Sequence, residues 1–195
     1  LGDSTPWFGS LTRKRACASS GEEGEAFMAQ TRKKARGKLG PMAPLLGKWK
    51  AASEQNGMPV TCTREYAKFG DGWVKLEAEW IIGAPKASAK LTDAQRAAMQ
   101  VYAGRTYRET AFFGPDADGV LAFWSYTNDG KKSMGKLADA PDIHPQAVCF
   151  EAQMDAGLAR QVFWPDEADC MRWVVEARTK KGWSRFTEHH YKLVK

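Results

Sequence analysis

The residues able to do chemistry in this chain are few. It holds three histidines, and two of them, His189 and His190, are neighbours in "EHHYKL", late in a run that reads as a strand. Successive side chains on a strand point to opposite faces, so these imidazoles cannot chelate one metal as a simple pair. Alternation puts His189 on a face with Trp183, Thr187, Tyr191 and Leu193, and His190 with Phe186 and Glu188, which makes His189 the one expected to face inward. His144 stands in "APDIHPQA", a proline-bounded loop at the expected mouth of the fold, and reads as an exposed loop residue. The remaining candidate is a charge on a half-apolar strand. In "RTYRETAFF" the residues Thr106, Arg108, Thr110 and Phe112 alternate with Arg105, Tyr107, Glu109 and Ala111, so either phase buries a charged group. A buried guanidinium must be ion-paired or meet an anionic ligand. Arg108 is the candidate for that role; a salt bridge to Glu65 or Glu109, or exposure at the strand end, is the alternative.

Other chemistry finds little support. Cys17, Cys62, Cys149 and Cys170 stand alone, without a C-x-x-C pair or the spacing of a disulfide framework, and read as reduced, mostly buried thiols. The string W-P-D at 164–166 matches the acid loop of tyrosine phosphatases, but no Cys-x5-Arg loop accompanies it, so it reads as a strand end and a turn. No G-x-S-x-G elbow, Walker-type G-K-S/T loop or H-E-x-x-H helix occurs. The sequence therefore names no catalytic residue and no metal ligand.

The elements that must position these residues are short alternating runs. About ten strands are expected, at 45–53, 58–68, 72–82, 105–113, 119–127, 132–137, 146–154, 158–164, 170–178 and 183–194. The joints "FGDGW", "PDADGV", "NDGKK", "MDAGL", "PDEADC" and "TKKGW" are Asp/Gly/Pro/Asn clusters of hairpin size. Strands joined this way form an antiparallel meander, and closing it into an up-and-down β-barrel removes its edges. Alternation sends Val74, Leu76, Ala78, Trp80 and Ile82 inward, likewise Val148, Phe150, Ala152 and Met154, and Met171, Trp173, Val175 and Ala177. A barrel of this strand number is wide enough for its inward residues to line a cavity. One segment interrupts the meander. Thr92 and Gln95 fit a capping box, Ala94, Ala97, Ala98, Val101 and Tyr102 make one face, and Gly104 is placed as a stop. A helix of about ten residues is thus expected between strands three and four, resting on a barrel rim or acting as a lid.

Two motifs carry a resemblance. Gly47 and Trp49 in "LLGKWKA" match the G-x-W that opens the first strand in the calycin superfamily, the lipocalins and their relatives. The stretches "YRETAFFGPDADGVLAFWSYTNDGKKSMGKL" and "RQVFWPDEADCMRWVVEARTKKGWSRFTEHHYKLV" resemble the bacterial DUF1579 family, through Gly182, Trp183, Glu188 and Tyr191 of the last hairpin. The resemblance covers most of 42–195 and implies a calycin-type barrel; the helical insertion departs from it. In the related fatty-acid-binding barrels an interior arginine meets a carboxylate, the role that analogy gives Arg108. "MAPLLGKWK" is also similar to the start of nitrobindin-like heme-binding barrels, which would make His189 a heme ligand.

Charge separates a tail from the barrel. Residues 1–40 hold eight basic and four acidic residues, which leaves 21 basic against 19 acidic over 41–195. The barrel domain, 41–195, is nearly neutral, so nucleic acid is not an expected partner. The tail, 1–40, is linker-like, with a basic run "TRKKARGK" and with Met28 a candidate start. No apolar run long enough for a membrane helix and no secretory signal is recognised, so the protein is expected in the cytoplasm. Oligomeric state is not indicated. The expected function is binding of a small hydrophobic or amphipathic ligand in the interior, without catalysis. Trp49, Leu76, Trp80, Phe112, Phe150 and Trp173 would line the site, with Arg108 or Tyr191 orienting a polar end. The alternatives are a heme-binding barrel with redox or isomerase activity through His189, and a structural or interaction module with a filled core. No cofactor other than heme is implied.

Overall fold

The alternation expected from the sequence becomes ten antiparallel strands: β1 (Gly47–Gln55), β2 (Met58–Phe69), β3 (Trp73–Ile82), β4 (Thr106–Pro115), β5 (Leu121–Thr127), β6 (Lys132–Ala138), β7 (Val148–Met154), β8 (Gly157–Pro165), β9 (Cys170–Thr179) and β10 (Gly182–Leu193). Each pairs with the next, and β10 returns to β1, so the sheet is a closed meander barrel, as expected. The structure is a computed structural model that describes residues 39–55 and 57–195, Gln55 by its backbone alone. The basic run and Cys17 of the expected tail lie outside the described residues.

The seam between first and last strand explains the G-x-W motif physically. β1 and β10 share the short register Trp49↔Leu193 and Lys50↔Lys192. Gly47 has φ +119°, a conformation that side chains resist, and a Cβ there would sit 3.0 Å from Leu193 Cδ1. Trp49 is buried and its Nε1 donates to the Leu45 carbonyl at 2.7 Å. That bond ties the first strand to a 3₁₀ helix, Gly40–Leu45, whose Met42 and Leu45 are buried in the main core.

The 3₁₀ helix defines a closed end. Toward it the inward side chains are fully packed: Phe150 meets Phe113 at 5.3 Å and Phe123 at 5.6 Å, and Leu76 and Tyr66 are sealed beside them. At the opposite end the inward side chains Trp80, Tyr107, Glu109, Gln161 and Val175 are only half-buried. The interior is therefore filled below and open above.

The inserted helix forms at that open end. Helix α1 (Asp93–Gln100) carries the expected capping box, Thr92 accepting from the Gln95 amide and Gln95 accepting from the Thr92 amide. The chain then turns at Gly104, whose N–H donates to the Ile82 carbonyl. Its packing differs from expectation. Ala94, Ala97, Ala98 and Val101 are exposed, and none of its residues is buried. Arg96 holds the helix instead, donating to the carbonyls of Lys86, Ala87 and Ala89. A face of alanines buries too little area to dock by itself, whereas a guanidinium has five donors for a loop of free carbonyls.

A second layer covers the outside of the barrel at β7, β8 and β9. The β6–β7 connection folds over Cys149, Val162 and Val174, burying them with Ala140. Asp142 of that connection receives two bonds from Arg160, at 3.0 and 2.6 Å. Arg160 also donates to Glu176 at 2.8 Å and lies over the Trp183 ring. The loop that contains His144 is thus a strap on the outer wall at the closed end, in contrast to the exposed mouth position expected for it.

Candidate functional site

The interior site is built from β2, and alternation dictates it. Met58, Val60, Cys62, Arg64 and Tyr66 all face inward, so an arginine enters the core in an otherwise apolar phase. Arg64 is completely buried. Its guanidinium lies over the Trp173 face at 4.4 Å and within 6 Å of the rings of Trp80, Phe163 and Tyr66. Such contacts recover part of the cost of burying the charge. Among the described residues its ionic partner is Glu109, with Arg64 Nη2 3.5 Å from Glu109 Oε2, a long contact for a charge-assisted bond. Arg64 Nε and Nη1 have no hydrogen-bond partner there.

Polar groups converge on this cation. Tyr66 Oη and His189 Nδ1 are buried without a hydrogen-bond partner among the described residues. Arg64 stands close to Tyr66 and opposes the upward push of burial on its phenol, although the hydroxyl makes no aligned hydrogen bond. Tyr191 Oη and Cys62 Sγ lie 2.9 Å apart. Burial, chiefly, pushes the Cys62 thiol up to about 11. Burial and then the charge of Arg64 push His189 down to about 4, so its imidazole is neutral at neutral pH. Glu109 is anchored by its other oxygen, which accepts from Ser125 Oγ at 2.7 Å.

The sequence-predicted residues divide accordingly. Trp173 and Tyr191 face the site, and Trp80 stands above it at the open end. Trp49, Leu76 and Phe150 belong to the packed core. Arg108 requires correction as the inward cation: it lies on the outer wall, more than half exposed, and donates to Glu79 at 2.8 Å. The phase of β4 is set by Ala111 and Phe113, which must be buried against β3 and β5, and that phase turns Glu109 inward and Arg108 outward. Phe112 goes out with it, packs on Phe69 at 5.2 Å, and joins Trp73, Trp124 and Tyr126 in an outer aromatic groove.

His189 does face inward, with 3% of its surface exposed. Its ring is stacked on Trp173 with an interplanar angle of 17° and touches Tyr191 on another side. An axial heme ligand needs a ring nitrogen directed at a space open to a porphyrin. With the ring 3% exposed between Trp173 and Tyr191, no porphyrin-sized space opens at it, so these residues do not fit a heme. Among the described residues no cluster of three or more His, Cys, Asp or Glu could hold a metal ion.

No protein-family model and no curated protein matches this chain. The functional reading therefore stands on the geometry.

Sequence reasoning passed over Arg64, Tyr66, Cys62 and Ser125. The signal was present: "MPVTCTREY" alternates from Met58, and continuing the phase through Cys62 reaches Arg64. A charged residue falling in the buried phase of a strand is the informative exception.

Proposed function

We propose that the barrel binds a small amphipathic molecule, without chemistry, with an acidic head at Arg64 and the apolar part among Trp80, Tyr107, Trp173 and Val175 at the open end. The observation that carries this reading is Arg64 itself, 0% exposed with two of its three nitrogens unpartnered among the described residues. A guanidinium removed from water is costly unless neutralised and hydrogen-bonded, and one 3.5 Å contact does little of either. An acidic head supplies both charge and acceptors. The unpartnered Tyr66 hydroxyl and His189 nitrogen stand beside it as further hydrogen-bonding groups.

Binding suits these groups better than catalysis. A thiol pushed up to about 11 is protonated at neutral pH and is a poor nucleophile. The calycin and DUF1579-like kinship and a cytoplasmic setting belong to the same proposal. They are supported by the Gly47–Trp49 seam and by Cys62 and Cys149, which are buried free thiols suited to a reducing compartment. Among the described residues no helix is long and apolar enough to cross a membrane.

The test compares dodecanoate with dodecanol as displacers of anilinonaphthalene sulfonate fluorescence. The wild type is expected to prefer dodecanoate by about tenfold or more, worth about 1.4 kcal/mol. Arg64→Met should lose that preference while its far-UV circular dichroism stays that of the barrel. Equal affinity for acid and alcohol, or an unchanged preference in Arg64→Met, would overturn the reading.

A further inference from the structure

We infer that Glu109 is an internal competitor at the binding site: its carboxylate occupies Arg64 and must yield it to an incoming acidic head, which makes Glu109 a brake on the binding of acids. The inference rests on the reading of Arg64 as the head-group anchor. Three observations carry it. Glu109 is the only ionic partner of Arg64 among the described residues, and its contact is long, at 3.5 Å. Glu109 is 14% exposed whereas Arg64 is fully sealed, so the carboxylate stands on the solvent side of the cation, beside the half-buried Tyr107 and Trp80 of the open end. Its other oxygen is held by Ser125 Oγ at 2.7 Å, a better bond than the one to arginine. The carboxylate is thus secured to the β5 wall and only leans on Arg64.

The consequence follows from electrostatics in a poorly solvated interior. Two carboxylates within reach of one guanidinium repel each other strongly where water is excluded. A ligand anion therefore gains Arg64 only by offsetting the lost Glu109 contact and the repulsion from Glu109 where it stands. A neutral amphiphile meets no such barrier and gains no such contact. Glu109 lowers affinity for acids and leaves that for neutral amphiphiles untouched, which is discrimination by an opposing charge.

Glu109→Gln keeps the shape and the acceptor oxygen while removing the charge. Dodecanoate affinity is expected to rise by about tenfold or more in Glu109→Gln, with dodecanol affinity unchanged. Ser125→Ala, which removes only the bond that secures the carboxylate, should alter dodecanoate affinity and not dodecanol affinity. Unchanged or weaker dodecanoate binding in Glu109→Gln, with the preference for acid still lost in Arg64→Met, would overturn the role of Glu109 and leave the Arg64 anchor standing. Failure of every folded variant to bind either probe would overturn both.

Discussion

His189 should make this barrel acid-labile in a measurable window. Its ring is 3% exposed, stacked on Trp173 and close to the charge of Arg64, and its pKa falls from 6.5 to about 4, first through burial and second through Arg64. Because the folded pKa is depressed, the unfolded chain holds the proton more readily between the two values. Stability that is fully present above about pH 6.5 is therefore lost as pH falls toward 4. At about 1.4 kcal/mol per unit, the full span costs about 3 kcal/mol, and about 2 kcal/mol of it is already lost at pH 5. His189→Phe keeps a flat ring against Trp173 and removes the titration. Urea unfolding followed by tryptophan fluorescence at several pH values between 5 and 7 should show the wild type losing about 2 kcal/mol more than the variant over that range. The carboxylates titrate alike in both proteins, so the difference isolates the histidine. Parallel loss of stability in the two proteins would refute the reasoning.

Two further outcomes test the walls that hold the site. Arg160→Ala leaves Glu176 buried without its main cation and releases Asp142, whose carboxyl Arg160 holds below its usual range. The expected loss is about 3 kcal/mol in urea unfolding, and Cys149, sealed under the strap, should become accessible to a thiol reagent under native conditions. In Gly135→Ala the new Cβ would stand 2.5 Å from the Glu151 carbonyl oxygen and from a Phe123 ring carbon, and strand backbone cannot move aside as a flexible side chain does. A loss of about 1–3 kcal/mol is expected in the same assay, and a variant as stable as the wild type would mean that β6 and β7 approach less closely than described.

How much of this was legible in the sequence depended on what had to be inferred. The strands were legible because turn chemistry and period-two alternation are local, and both are strong in this chain. The expected strand 119–127 begins instead at Leu121 because Asp116 Oδ1 accepts from the amides of Asp118 and Val120 and draws those residues into the turn. The helix was legible at its N-terminus, where Thr92 and Gln95 cap each other, and not in its packing, because Arg96 reaches carbonyls seven to ten residues earlier in a loop with no periodic signal.

The site was harder for a reason that lies in β4. Arg108 and Glu109 are adjacent, one of them must face inward, and alternation alone leaves the phase undetermined when charged and apolar residues share both faces. The neighbours decide it. Ala111 pairs with Leu76 of β3 and Ser125 of β5, while Phe112 pairs with Lys75 and Trp124. The face carrying Ala111 and Phe113 closes on buried Leu76, Val74 and Phe123, so it is the interior, and Glu109 is carried in with it. A carboxylate drawn inward by packing two and four residues away requires a cation, and Arg64, directly across β3 through Ala78, is placed by its own strand phase to serve. The charge pair is thus a product of register across three strands. No single strand encodes it, and for that reason exchanging its two members, Arg64→Glu with Glu109→Arg, should restore more stability than either single change alone, the signature of a coupled pair in a double-mutant cycle.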